Sequence, residues 1–434
     1  MNKFGEQDRR IVAVAVPAFF ALVSEPLMLL ADTAIVGRLG TTPLAGLAVA
    51  STVLLTVVGL CVFLAYGSTA TVGRLHGAGR EQAALDGAIG GLWLALGLGV
   101  GLGAVVAATS GPVADALASS PRVREEAVTY LVWSAGAVPA MLLVLAATGA
   151  LRGVLDLRTP LLVTVVANLL NVVLSLVLVH GLDLGIAGAA LGTAMAQWAG
   201  AVWLVAVVLR RARGVGSSGR PDVAAVLRAA REGVPLLART ATLRAALLLA
   251  TAVAATFGDA PLAAHQVATS LVTFLAFAMD AIAIAGQTLT GRTLGAGDAE
   301  GTRALTRRMI GWGVGTGLVS GLLLAVVAPF VGGWFSPDRA VQDALLPALL
   351  VVALVQPVSG VVFVLDGVLI GAGDGVYLAW AGLVVLAVYA PLALLAGSLG
   401  GLAWLWVAYG GFQAARLVTL WLRQRGTTWM VLGA

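Results

Sequence analysis

The sequence predicts an all-α polytopic membrane protein, with twelve transmembrane helices in two six-helix bundles related by pseudo-two-fold symmetry along the membrane normal. Three observations predict this fold: a composition suited to lipid, apolar runs long enough to cross a bilayer, and an internal repeat. Of the 434 residues, 60% are hydrophobic and 11% are charged, whereas soluble domains carry roughly 25% charged residues. Runs of about 20 apolar residues without polar alternation indicate helices and not barrel strands.

Twelve apolar runs follow one another along the chain, each long enough to cross a bilayer. They cover residues 11–38, 47–73, 87–110, 127–150, 160–181, 185–209, 233–257, 262–291, 309–331, 343–371, 376–397 and 399–422. Twenty of the 26 Lys and Arg residues, Lys3 among them, fall on the side of the N-terminus when these spans are threaded in order, and four fall on the opposite side. The positive-inside rule therefore predicts that both termini lie in the cytoplasm. We expect a multi-pass protein of the cell membrane, in bacteria the cell inner membrane.

A basic, glycine- and serine-containing stretch separates two equal sets of spans. It predicts an N-terminal lobe over residues 1–209, a flexible cytoplasmic linker over 210–232 and a C-terminal lobe over 233–434. The lobes repeat at a constant offset of 218 residues. Matching pairs include Pro17 with Pro235, Gly40 with Gly258, Pro139 with Pro357, Gly149 with Gly367, and Asp156 with Asp374. Because each copy has an even number of spans, both lobes cross the membrane in the same sense, which is the plan of an alternating-access transporter.

The first span carries two acids in a run that otherwise suits only lipid. A carboxylate inside a membrane is costly and usually functional, so Asp32 is a candidate proton-coupling residue that could take up and release a proton near neutral pH. The alternative is a capping role at the outer end of the helix. Glu25 lies on nearly the same helix face, and it is either a helper in proton transfer or a neutral packing residue. Pro17 and Pro26 each remove a backbone hydrogen bond and are candidate bending points.

Polar residues recur at one-turn spacing in spans five and six. Asn168, Asn171 and Ser175 share one helix face, and Thr193 and Gln197 are one turn apart. With Asp32 these side chains could line a polar cavity inside the N-terminal lobe. A hydrogen-bonded seam between helices, without ion or ligand, is the alternative.

The C-terminal lobe differs at the corresponding positions, since Ala250 stands where the repeat places Asp32. Its own membrane-embedded charges are Arg239, Arg244, Asp280 and Asp366. Buried ion pairs within the bundle are the favoured interpretation, and a role in substrate contact is the other. The two lobes are therefore expected to do different jobs.

Several strings resemble the multidrug and toxic compound extrusion (MATE) transporters. The first span has Pro17, then Asp32-Thr33, then Val36 to Gly40, and G-R-x-x-G-A-G occurs twice, at residues 73–79 and 291–297. Glu25-Pro26, AIAGQTLTGRTLGAGD at 283–298 and VLDGVLIGAGD at 364–374 resemble the DinF-like branch in particular.

The resemblance implies export of cationic or amphipathic organic compounds, driven by protons or sodium ions. It assigns ion coupling to Asp32, helix bending to Pro17, and a polar cluster to Asn171 and Thr193. Many relatives have a second aspartate where this chain has Ser175. Since that carboxylate would supply a hard ligand for sodium, its absence favours protons. A monomer is expected, with a small organic substrate, protons and the bilayer as partners and without nucleic acid, metal or cofactor.

Two other functions remain open at this point. A lipid-linked precursor flippase of the same superfamily should have a more cationic cavity, to which Arg239 and Arg244 could contribute. A membrane-embedded enzyme is the alternative of another class. The sequence contains no P-loop, H-E-x-x-H, C-x-x-C or G-x-S-x-G motif, and GLGVGLG at 97–103 lies inside span three without the strand that a dinucleotide fingerprint requires. We therefore expect a transporter and not an enzyme.

Overall fold

The fold is taken from a computed structural model, which describes residues 2–433 and their side chains from residue 5 onward. Residue 1, where the predicted N-terminal lobe begins, and residue 434, where the predicted C-terminal lobe ends, lie outside the described part. The side chain of Lys3 also lies outside it. Within it, the structure has helices and no strands. The helices are α1 (Asn2–Gly37), α2 (Thr41–Leu60), α3 (Phe63–Gly77), α4 (Glu81–Leu117), α5 (Pro121–Ala135), α6 (Val138–Gly153), α7 (Arg158–Leu176), α8 (Gly185–Gly214), α9 (Val223–Ala255), α10 (Asp259–Gly295), α11 (Ala299–Phe335), α12 (Arg339–Gly371), α13 (Gly375–Leu399) and α14 (Leu402–Arg425).

Most of these helices are long and apolar enough to cross a bilayer. Ten helical segments of the described chain are long and apolar enough to cross a bilayer, with α2 and α3 counted as one segment, Thr41–Gly77. The bent pair of α5 and α6 makes an eleventh when it is counted as one span. The last helix, α14, has 24 residues but lies outside this apolar set. Helices suit this setting because each satisfies its own backbone hydrogen bonds where no water can do so. Large apolar side chains such as Leu354 and Trp380 are exposed on the helix surfaces, as expected of a protein surrounded by lipid.

Three crossings are less regular than the sequence predicts. The predicted span 47–73 is divided at Cys61, and the predicted span 127–150 bends by 51° between α5 and α6. Pro139 lies in the first turn of α6, where its missing N–H and its effect on the preceding residue favour a helix start over a continuous helix. After Leu176, α7 widens into one π-helical turn, Val177–Gly181.

Helix starts at the membrane surface are capped by short polar side chains. The Ser120 hydroxyl accepts a hydrogen bond from the Val123 N–H at 3.3 Å, ahead of α5. The Asp298 carboxylate accepts from the Gly301 N–H at 2.7 Å, ahead of α11. Each cap satisfies one of the N–H groups that a helix leaves without an internal partner.

The chain divides into two compact units. The N-terminal unit is Phe20–Val234, and the C-terminal unit is Pro235–Ala434 together with Met1–Phe19. Of the predicted linker, residues 210–214 continue α8 and residues 223–232 begin α9, so eight residues lie outside helices. The Ser217 hydroxyl in this short connection donates to Asp86 at 2.6 Å.

Close helix approaches in the N-terminal unit depend on two glycines. A Cβ atom at Gly99 would lie 2.4 Å from Cα of Pro139, and one at Gly149 would lie 2.3 Å from the carbonyl oxygen of Ala65. Real Cβ contacts are not that short, so α4 and α3 meet α6 at positions where only glycine fits. Such contacts replace hydrophobic driving force in the packing of membrane helices.

The C-terminal unit repeats both approaches 218 residues later. A Cβ atom at Gly317 would lie 2.6 Å from Cα of Pro357, and one at Gly367 would lie 2.3 Å from the carbonyl oxygen of Ala283. The internal repeat of the sequence therefore corresponds to the same close helix contacts in both units, as the predicted pseudo-symmetry requires.

Three hydrogen bonds to Asp8 hold the start of α1 within the C-terminal unit. Asp8 accepts hydrogen bonds from Nε and Nη2 of Arg308, each at 2.6 Å, and from Nε1 of Trp312 at 2.8 Å. The remainder of α1, from Phe20 onward, belongs to the N-terminal unit. Pro17 and Pro26 lie on either side of this boundary, and helical structure continues through both.

Candidate functional site

Asp32 lies inside the N-terminal unit with only 2% of its surface exposed. The Ser175 hydroxyl donates to its Oδ1 and the Thr193 hydroxyl to its Oδ2, both at 3.4 Å. Among the described residues, no Arg or Lys forms an ion pair with Asp32. The carboxyl group therefore lies among neutral donors, at distances long for hydrogen bonds between oxygen atoms.

Asn171 extends this cluster. It is fully buried, and its Nδ2 donates to the Thr193 hydroxyl at 2.9 Å. Its Oδ1 atom is buried without a hydrogen-bond partner. The structure thus brings four of the sequence-predicted residues together from three helices: Asp32 of α1, Asn171 and Ser175 of α7, and Thr193 of α8.

A glycine allows α7 and α8 to meet beside Asp32. A Cβ atom at Gly192 would lie 2.8 Å from Oγ and 2.9 Å from the backbone N of Ser175. Because Thr193 follows directly, this approach fixes the distance of both hydroxyl groups from the carboxylate.

Asn168 lies beside this cluster and not in its centre, and Gln197 lies one turn after Thr193 on α8. Asn168 donates from Nδ2 to the Ser24 hydroxyl at 2.7 Å and to the Ser24 carbonyl at 3.0 Å, one helical step before Glu25. Glu25 is exposed on the surface of the unit, and Gln197 is half-buried. Asn168 therefore joins α7 to α1 two turns away from Asp32.

Sequence reasoning missed two residues of the site. Tyr130 is 4% exposed and its hydroxyl interacts with Thr193, while Ser134, one turn later on α5, is fully buried. Two polar residues four positions apart in an apolar span were the available signal, since that spacing puts them on one helix face.

In the C-terminal unit the embedded charges form a network around Asp366. Arg239 binds both carboxylate oxygens, with Nε at 3.1 Å from Oδ1, and Nη2 of Arg416 lies 3.3 Å from Oδ2. Gln413 accepts from Arg416 at 3.3 Å and donates to the hydroxyls of Ser359 and Tyr409, both at 2.9 Å. Asp280, half-buried, interacts electrostatically with Arg416.

Arg244 differs from the expectation of a buried charge. It is exposed, because five residues after Arg239 correspond to about 140° around the helix, which turns Arg244 away from Asp366. Arg416, which is not among the four predicted membrane-embedded charges, supplies the second cation of the network. Among the described residues, no group of three or more His, Cys, Asp or Glu side chains is placed to hold a metal ion.

Comparison with known proteins identifies the family. The MatE family model matches the chain twice, over residues 17–177 and 235–395. The two matches begin and end 218 residues apart, as the internal repeat does.

Relatives and solved structures cover nearly the whole chain. DNA damage-inducible protein F of Escherichia coli is 31% identical over 449 residues, covering 97% of this chain and 94% of its own. Protein DETOXIFICATION 44, chloroplastic, of Arabidopsis thaliana is 31% identical over 432 residues, covering 95% of this chain and 81% of its own. The crystal structure of the Vibrio cholerae MATE transporter VcmN in the bent form superimposes with a TM-score of 0.89 at 22% identity, covering 98% of both chains. The chain therefore belongs to the MATE family of multidrug efflux transporters, which are not enzymes, and has DinF-like relatives.

Proposed function

We propose that this transporter exports cationic or amphipathic organic compounds in exchange for protons, with Asp32 as the coupling residue and with alternating access of its two lobes. The observation that carries the proposal is the burial of Asp32 among neutral hydroxyl groups, without a cation in contact among the described residues. Desolvation disfavours the charged form of a buried carboxyl group. A proton can compensate that charge, and its release toward one side of the membrane can be tied to a change in helix packing.

The helix that carries Asp32 supports this coupling. Pro17 and Pro26 interrupt the backbone hydrogen bonds of α1, and the relative from Vibrio cholerae is described in a bent form. We propose that α1 bends at these prolines when Asp32 changes its charge. Glu25, exposed two turns earlier, is proposed as a helper that passes the proton.

Sodium coupling is the second candidate, and one observation favours it. The unpartnered Oδ1 of Asn171 is a neutral oxygen ligand of the kind that hard cations use, close to the carboxylate of Asp32. Against it, Ser175 provides a hydroxyl where a second carboxylate would provide charge. A flippase is less favoured, because Arg239 is compensated by Asp366 and Arg244 lies apart from it.

We further propose that the protein works as a monomer in the cell inner membrane with both termini in the cytoplasm. The loop charges support this orientation. One chain supplies both lobes, so a second copy is not needed for alternating access.

Transport by purified protein in proteoliposomes tests the proposal. With an acidic lumen, we expect accumulation of a cationic dye by wild type and loss of that accumulation in Asp32→Asn. Asp183→Asn, which changes an exposed acid of the same unit, is the matched control and should transport like wild type. Undiminished pH-driven transport by Asp32→Asn would contradict the assignment. Equal or faster transport with a sodium gradient at uniform pH would favour sodium in place of protons.

A further inference from the structure

The first turns of α9 carry exposed apolar side chains ahead of the seventh predicted span, which begins at residue 233. Val223 and Leu227 are 71% and 52% exposed, and Val234 continues the same stripe at 62%. These positions share one helix face, because four and eleven residues correspond to nearly whole turns. At the 218-residue offset, the first repeat has Gly5 and Arg9 in place of Val223 and Leu227. The apolar stripe is therefore a feature of α9 and not of the repeat.

The opposite face of these turns packs against other helices of the N-terminal unit. A Cβ atom at Gly90 of α4 would lie 2.9 Å from Cβ and 3.0 Å from the carbonyl carbon of Ala225, so α4 and α9 meet where glycine allows it. Seven residues later, Glu232 accepts a hydrogen bond from the Thr71 hydroxyl of α3 at 2.6 Å. The residues two positions before and after Ala225 therefore point away from the unit, since two residues correspond to about 200° around a helix.

The contact with Gly90 also sets the depth of the stripe. Gly90 lies three residues inside the third predicted span, 87–110, which is about 5 Å along a helix axis. Ala225 is thus close to the level at which α4 enters the membrane. In the orientation proposed above, this level is the cytoplasmic boundary between lipid head groups and acyl chains. Exposed valine and leucine side chains are more favourable against acyl chains than in water, so lipid is the expected neighbour of the stripe.

Two arginines flank the stripe without a carboxylate partner. Arg228 and Arg231 are exposed, and among the described residues neither forms an ion pair. The acids nearest in sequence are engaged elsewhere. Asp222 accepts a hydrogen bond from a backbone N–H in the first turn of α9 at 3.0 Å, and Glu232 interacts electrostatically with Arg74 of α3. Guanidinium groups bind phosphate oxygens through pairs of parallel hydrogen bonds, so a phosphate would satisfy both charges.

We propose that residues 223–231 bind an anionic phospholipid, with its phosphate on Arg228 and Arg231 and an acyl chain along Val223 and Leu227. A soluble phosphate or a nucleic acid would leave the apolar stripe in water, and a zwitterionic lipid brings its own cation beside the phosphate. An anionic phospholipid uses both the charges and the stripe. The inference rests on the proposed orientation but not on the coupling ion, so its failure would leave the exchange mechanism untouched.

Fluorescence quenching by brominated lipids tests the site at its own position. Cys61 is the one cysteine of the sequence and is buried, so the full-length variant Cys61→Ser/Leu227→Cys can be labelled with bimane at residue 227 alone. The labelled protein is reconstituted into phosphatidylcholine bilayers with increasing fractions of phosphatidylglycerol brominated close to the head group. This lipid should bind beside the label about tenfold more tightly than phosphatidylcholine with the same brominated chains, because each arginine adds attraction to an anionic lipid.

Three pairs of substitutions in the labelled protein separate this site from a general effect of charge. Arg228→Gln/Arg231→Gln should reduce the preference for phosphatidylglycerol to about twofold or less. Arg228→Lys/Arg231→Lys keeps both charges and should keep most of the preference. Arg303→Gln/Arg307→Gln is the matched control, since it removes two exposed arginines of α11 and should keep the preference in full. In the described stretch 299–317 around them, no large apolar side chain is exposed.

A soluble competitor distinguishes lipid from free phosphate. Glycerol phosphate carries the same phosphate without acyl chains, and an excess of it should leave the quenching by brominated phosphatidylglycerol unchanged. The proposal is overturned if the two brominated lipids quench the labelled protein equally, or if Arg303→Gln/Arg307→Gln lowers the preference as much as Arg228→Gln/Arg231→Gln. It is also overturned if glycerol phosphate abolishes the preference, because the arginines would then bind soluble phosphate compounds and not a lipid.

Discussion

The hydroxyl of Ser175 lies 3.4 Å from Oδ1 of Asp32 and donates toward it. In this position a carboxylate would face Asp32 across a buried space, and the two acids would share one proton or bind a cation between them. The serine instead contributes a donor without charge. The choice of this single side chain therefore bears on which ion the transporter uses.

We predict that Ser175→Asp makes transport depend on sodium. A second carboxylate adds a hard oxygen ligand beside Asp32 and the unpartnered Oδ1 of Asn171. Dye uptake by proteoliposomes should become faster with a sodium gradient than with a pH gradient. Ser175→Ala is the control, and it should not become sodium-dependent, because it removes the hydroxyl without adding a carboxylate. Sodium-independent transport by Ser175→Asp would contradict the prediction.

A second prediction concerns the repeated glycine contacts. Gly99→Ala and Gly317→Ala should each destabilise the fold by about 1–3 kcal/mol. The added methyl group would meet the backbone of Pro139 or Pro357 at 2.4 and 2.6 Å, and backbone atoms cannot move aside as a side-chain end can. The midpoint of thermal unfolding in detergent is the measurement.

Matched controls stand two residues earlier in each repeat. A Cβ atom at Gly97 or Gly315 would meet nothing within 4 Å, so Gly97→Ala and Gly315→Ala should be neutral or stabilise by up to about 1 kcal/mol through helix propensity. Equal midpoints for all four variants would show that the close approach is not needed.

The sequence predicts the fold where composition and repetition are strong. The length of the apolar runs predicts the membrane-spanning helices, and the 218-residue offset predicts that Gly149 and Gly367 occupy equivalent positions in the two repeats. The division at Cys61 and the bend before Pro139 were not predicted, because a hydropathy pattern does not distinguish one continuous helix from two helices in line. Asp32, Asn171, Ser175 and Thr193 could be grouped since helical periodicity places each on an inward face.

The features of the site that the sequence did not predict depend on tertiary packing. Arg244 and Arg239 are the same residue type in the same apolar span. They differ in their position around α9, which brings Arg239 and not Arg244 to Asp366. The cavity of the C-terminal unit that is lined by Phe363 of α12 and by Trp406 and Tyr409 of α14 has no sequence signal of its own, because these aromatic side chains look like ordinary residues of membrane helices.

The third prediction tests the network around Asp366. Arg239→Ala should lower the free energy of unfolding by about 3 kcal/mol, because removing one partner of a buried ion pair leaves its charge less compensated. Arg244→Ala removes the same side chain from an exposed position on the same helix and should change stability by less than about 0.5 kcal/mol. Thermal unfolding of both variants in one detergent compares them directly, and equal midpoints would refute a structural role for the pair.

The last prediction links packing to transport through Gly192. Gly192→Ala places a methyl group within 3 Å of both Oγ and the backbone N of Ser175, so α8 must move away from α7 by a few tenths of an ångström. Because the Thr193 and Ser175 hydroxyls already lie 3.4 Å from Asp32, either one moving outward ends its hydrogen bond. We expect pH-driven dye transport to fall about tenfold while the protein stays folded. Gly200→Ala, on the same helix, meets Cβ of Ala167 at 3.4 Å, an ordinary contact, and should transport normally. If Gly192→Ala transports as fast as Gly200→Ala, the spacing of these hydroxyls does not govern coupling.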